Sequence, residues 1–162
     1  MFLYVGLCNS KNYRSFVLTK LNQLRAILES SAAALAADPE VDISEIESVY
    51  EEAEEALNAG DFKQYTDLNR AFHSEIWTAA GNQKMKNMIS ELWNGLSMGS
   101  MVSEDDYAKV SIKEQGNILK AIQVHDLESF IVLTITIYTI CYNFTVSYLY
   151  IPIIMYPKST DL

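Results

Sequence analysis

At 162 residues with 49% apolar content, the chain is long enough to bury one hydrophobic core and suits a single domain. Its 21 acidic and 12 basic residues leave a formal net charge of -9, which excludes a surface that grips nucleic acid unaided, because phosphate binding needs clustered Lys and Arg. Cys8 and Cys141 lie far apart and match no CxxC or Cys/His zinc spacing, so a reduced, cytoplasmic setting is expected.

Three zones follow one another. Residues 1–17 form a leader whose opening Met1 to Leu7 is apolar, with no basic residue before it and no small-residue cleavage site after it, so no signal peptide is predicted. Residues 18–128 are charged and periodic, and residues 129–162 carry no charge until Lys158. In the middle zone, Leu21, Leu24, Ile27, Leu28, Ala32 and Leu35 recur at helical spacing, and Asp38-Pro39 closes that run. Asp42 or Ser44 can cap a second helix with Ile43, Ile46, Val49, Tyr50, Ala53 and Leu57 on its apolar face, the acidic run from Glu45 to Glu55 on its solvated face, and Gly60 at its end.

Asp61 caps a third helix, whose stripe Phe62, Tyr65, Leu68, Phe72, Ile76 and Trp77 runs to the Gly81-Asn82 break. Asn82 caps a fourth helix with Met85, Met88, Ile89, Leu92, Trp93 and Leu96 facing the core, and Ser103 opens a fifth that carries Val110, Ile118, Leu119 and Ile122. The short links favour antiparallel neighbours, so the fold class expected is all-α, an antiparallel bundle of about six helices. The stretch from Phe130 to Tyr156 is apolar around its circumference, rich in β-branched residues and tyrosine, and interrupted by Pro152. Three readings fit it: a last bundle helix buried on all sides, a segment spanning a membrane through 130–156, or a stretch translated out of frame.

Four segments of the middle zone carry a family likeness. They are Leu24-Arg-Ala-Ile-Leu-Glu29 with its alanine-rich continuation, Ala59-Gly-Asp-Phe62, Leu68-Asn-Arg-Ala-Phe-His-Ser-Glu-Ile76 with Ala80-Gly-Asn82, and Glu114-Gln-Gly-Asn-Ile-Leu-Lys-Ala-Ile122 leading to Asp126. In order and spacing they resemble the FCD domain, the C-terminal effector-binding domain of the FadR subfamily of GntR bacterial transcription regulators. The resemblance implies a helical bundle that dimerises, encloses a small organic acid, often with a divalent metal such as zinc or nickel, and controls an attached DNA-binding domain. No winged helix-turn-helix pattern is recognisable before Leu21, so this chain is expected to bind no DNA alone and to act as a homodimer or beside an intact homologue.

The same resemblance places Arg25, Asn69, His73 and Gln115 at the effector site. Asn69 and His73 stand one helical turn apart on one face, as a pair of metal ligands would. Histidines are expected where this sequence has Gln115 and Thr136, and one imidazole, two amides and a hydroxyl suit zinc poorly. Arg25 can hold a carboxylate through its fork of donors or lie solvated on an exposed face. His73 can donate to an effector or rest as a satisfied core residue, and Asn69 and Gln115 can orient a ligand or satisfy each other. His125 beside Asp126 reads as a helix-end cap or a solvated site. No Ser/His/Asp or Cys/His constellation stands out, so an enzyme is not expected.

Overall fold

The computed structural model describes residues 10–95 and 104–125, and these form five α-helices. They are α1 (Ser10–Ala36), α2 (Ser44–Asn58), α3 (Phe62–Ala79), α4 (Gln83–Gly95) and α5 (Glu104–Val124). The expected all-α bundle is what is found, with no strand among the described residues. Leu96, Ser103, Thr136 and the apolar segment 130–156 lie outside the described residues. Within them, no helix is long and apolar enough to cross a membrane.

Local chemistry sets the helix ends. Gly60 adopts φ +73° and Gly81 φ +66°, left-handed conformations that a Cβ would strain, and each stops the helix before it. Asp61 accepts a hydrogen bond from the Gln64 backbone N–H at 2.9 Å, and Asn82 accepts one from that of Met85 at 3.1 Å, so both predicted caps form. At α2 the outcome differs. Asp42 accepts from the Ser44 N–H at 3.0 Å just ahead of the helix, while the N-cap position itself falls to Ile43, which has no capping side chain. The chain turns tightly at Ala59–Asp61, and since α2 and α3 then pack extensively on each other, the second must double back on the first.

The centre of the bundle is α3, which touches all four other described helices. Its predicted stripe is largely confirmed: Tyr65, Phe72, Ile76 and Trp77 are buried. Phe72, Ile76 and Trp77 join Ala26, Ala32, Ala33 and Ala36 of α1, Ile46 of α2, Ile89 of α4 and Ile118, Leu119 and Ile122 of α5 in one core, while Ala53, Ala56, Tyr65 and Ala108 form a second. On α5, Val110 points outward at 58% exposure, and the inward positions near it go to Ala108, Ser111 and Gln115. Met88 on α4 is likewise exposed.

The largest departure from expectation is on α1. This helix starts at Ser10, within the segment read as a leader, and only part of its predicted apolar stripe faces the core, where Ala32 is buried and Leu28 packs against the cluster. Leu24, Ile27 and Leu35 are exposed, Ile27 by 61%, whereas the buried arc is Asn22, Arg25, Ala26, Glu29, Ser30, Ala32, Ala33 and Ala36. Alanines on that arc let neighbouring helices approach closely, Arg25 and Glu29 among them meet side chains of α3 and α4, and Ser30 bonds back to the Ala26 carbonyl of its own helix. A leucine at Ala33 has no room in such an arrangement. Ala33→Leu is expected to cost about 1–3 kcal/mol by urea denaturation, and an unchanged midpoint would mean that α1 presents its leucine face to the core instead.

Candidate functional site

Arg25 and Glu29 are one helical turn apart on the inward arc of α1, with Arg25 Nε 3.0 Å from Glu29 Oε1. Glu29 is 3% exposed, so its carboxylate depends on donors within the protein. One is Trp93 on α4, whose Nε1–H donates to Glu29 Oε1 at 2.5 Å. The Arg25 guanidinium also lies 5.1 Å from the centre of the Trp93 ring, a cation–π distance. A two-ring indole therefore seals the ion pair from one side and bonds to it at the same time.

From α3, Asn69 and His73 face the same interior, as their spacing requires. His73 Nδ1 lies 3.9 Å from Glu29 Oε2, and its ring stands 5.0 Å from that of Trp93 and 6.5 Å from that of Trp77. Burial lowers the His73 pKa below the usual imidazole value; the Glu29 carboxylate opposes this shift and Arg25 reinforces it. The ring is thus held neutral at neutral pH. One turn earlier on α3, Asn69 Oδ1 accepts from Ser111 Oγ at 3.1 Å and from Gln115 Nε2 at 2.5 Å, both on α5. Gln115 is 1% exposed, and its Oε1 is buried with no hydrogen-bond partner. An acceptor left so inside a protein costs stability, and such atoms occur where a ligand completes the network.

The family model of the FCD domain matches residues 20–132 and so takes in all of these side chains. The chain belongs to the FCD domain family. It is also 31% identical over 85 residues to the HTH-type transcriptional regulator McbR of Escherichia coli (strain K12), a stretch covering 51% of this chain and 38% of that protein. The chain therefore matches well under half the length of this curated relative.

All four residues that the sequence marks for the FCD effector site face one interior. Arg25 and His73 converge on Glu29, and Asn69 pairs with Gln115. Two contributors were not anticipated, Glu29 and Ser111, while Trp93 was expected on the core face of α4. The signal for Glu29 was the Arg-x-x-x-Glu spacing, which puts opposite charges one turn apart; nothing local marked Ser111. His125 sits elsewhere, exposed at the end of α5 with φ 52°, where its Nδ1 lies 2.7 Å from the Ala37 carbonyl oxygen, so it closes a helix end.

A divalent metal fits this set badly. Asn69 Oδ1 is already the acceptor for two donors, and the Gln115 atom facing it is an amide nitrogen, which has no lone pair to give. Glu29 Oε1 is held by Arg25 and Trp93. That leaves the His73 imidazole, the second oxygen of Glu29 and the amide oxygen of Gln115, a set short of the closed His, Cys and carboxylate shell that zinc prefers, and among the described residues no three His, Cys, Asp or Glu side chains are grouped for a metal.

Removing Glu29 takes from the buried Arg25 guanidinium the carboxylate that balances its charge. Glu29→Ala is expected to destabilise the domain by roughly 3–5 kcal/mol in urea denaturation, with a shift in tryptophan emission as Trp93 loses its acceptor. A loss under about 1 kcal/mol, the range of exposed pairs, would show the pair to be solvated. The second prediction concerns pH. A base whose folded pKa is depressed takes up its proton first in the unfolded state, so His73 adds full stability above the ordinary value of 6.5, and this is lost as pH falls below it. His73→Gln is expected to flatten the decline in stability below that pH relative to the unmodified protein. Parallel curves for the two proteins would show that His73 titrates normally.

Proposed function

We propose that this chain is the effector-sensing and dimerising part of a GntR/FadR-type transcription regulator. A small organic acid enters the interior lined by Arg25, Asn69, His73 and Gln115 and alters the packing of α1, α3, α4 and α5. That change resets the spacing of DNA-binding domains joined to the bundle. The observation that carries this reading is the convergence of buried polar side chains from three helices, α1, α3 and α5, where a domain built for stability alone would place apolar ones. Membership of the FCD domain family supports it, as does the likeness to a protein named as an HTH-type transcriptional regulator.

The dimer is supported by the apolar stripe of Leu24, Ile27 and Leu35 on the outside of α1. The setting proposed is cytoplasmic, and the role is binding rather than catalysis, since the one imidazole in this interior has no hydroxyl or thiol nucleophile among its described contacts. The acidic balance of the chain leaves DNA recognition to the attached domain.

A thermal-shift panel of small mono-, di- and hydroxycarboxylic acids tests the proposal, with sedimentation on the same samples reporting the dimer. At least one acid is expected to raise stability by about 2–3 kcal/mol at a hundredfold excess over its Kd, and Arg25→Met is expected to abolish the response. A panel in which no acid stabilises the protein, or in which Arg25→Met responds equally, would falsify it.

A further inference from the structure

The pairing of Asn69 with Gln115 has a consequence for how this interior takes a ligand, and the inference rests on the effector-binding reading above. We infer that the site is metal-independent and holds its organic acid directly, with Gln115 Oε1 accepting a hydrogen bond from a hydroxyl or amino group of the ligand. Three observations lead there. Asn69 Oδ1 is satisfied by Ser111 and Gln115, so the atom best placed to ligate a metal is engaged with protein donors. Gln115 presents its amide nitrogen to Asn69, which leaves its oxygen as a buried acceptor awaiting a donor. A hydroxy or amino acid supplies the N–H or O–H that this oxygen lacks, whereas a neutral amide oxygen is a poor ligand for zinc, which prefers Cys, His and carboxylate.

Charge points the same way. The buried Arg25 cation is matched by the buried Glu29 carboxylate, and His73 is neutral, so the interior carries no surplus of negative charge to attract a dication. The ligand class that suits this balance is a small acid that also carries a donor group, in place of a simple carboxylate held through a metal ion.

Zinc chloride titrated calorimetrically into the full chain, beside the variant Asn69→Asp with Gln115→His, tests the metal half without needing any effector. The unmodified protein is expected to take up no stoichiometric zinc, and the double variant to gain a site at least about a hundredfold tighter. One zinc per chain in the unmodified protein overturns the inference, and so does a folded double variant with no gain. Should the double variant fail to fold by circular dichroism, Gln115→His alone makes the same comparison with the same two outcomes.

The ligand half is read by thermal shift in the presence of EDTA with malate and succinate, which differ by one hydroxyl. Malate is expected to stabilise the unmodified protein more than succinate, and this difference is expected to vanish in Gln115→Leu. An equal or larger effect of succinate, including no effect of either, overturns the donor requirement. A panel that finds no binding acid would fail the functional reading while leaving the zinc comparison to be read by itself.

Discussion

A carboxylate almost sealed from water must be surrounded by donors, and Glu29 meets that requirement by drawing on three elements at once. Arg25 comes from its own helix, Trp93 reaches it from α4, and His73 on α3 lies against its second oxygen. Because the group is too costly to bury unpaired, the helices that bring these partners are held in one relative arrangement. The alanines of α1 make the close approach feasible, and the tryptophan covers the guanidinium as well as bonding to the acid. The inward face of α1 is thereby shared between alanines and an ion pair, while Leu24, Ile27 and Leu35 are left to the outside.

A second polar link joins α3 to α5 through Asn69, Ser111 and Gln115. Since Asn69 and His73 share one face of α3, the two networks meet on the helix that touches all the others. A ligand that altered either network would therefore act on α3 directly and on the remaining helices through it, which is the physical requirement for passing an occupancy signal outward.

Much of this was legible in the chain. The caps at Asp61 and Asn82, the turns at Gly60 and Gly81, and the stripe of α3 followed from local chemistry, because those signals act within a few residues. The family likeness brought Arg25, Asn69, His73 and Gln115 into view, and all four face the interior. The face of α1 was misread in part, at Leu24, Ile27 and Leu35, because hydrophobic periodicity locates an apolar stripe but not what lies against it; only tertiary packing decides that Ala26, Ala33 and an ion pair turn inward while Ile27 turns out. Val110 was misplaced for the same reason. Ser111 could not be assigned to the site because its partner, Asn69, is distant in sequence, and for the same reason the bond from Trp93 to Glu29 was not legible.

The central claim is that the buried pair of Arg25 and Glu29 is kept for recognition and not for stability. Urea denaturation of the double substitution Arg25→Met with Glu29→Met tests it most directly, since both charges are then replaced by apolar side chains able to fill the space. The account predicts a folded protein less destabilised than the one lacking Glu29 alone, because no charge is left stranded. A double variant as unstable as that single one, or more so, would show that the pair holds the bundle together for its own sake and would contradict the account.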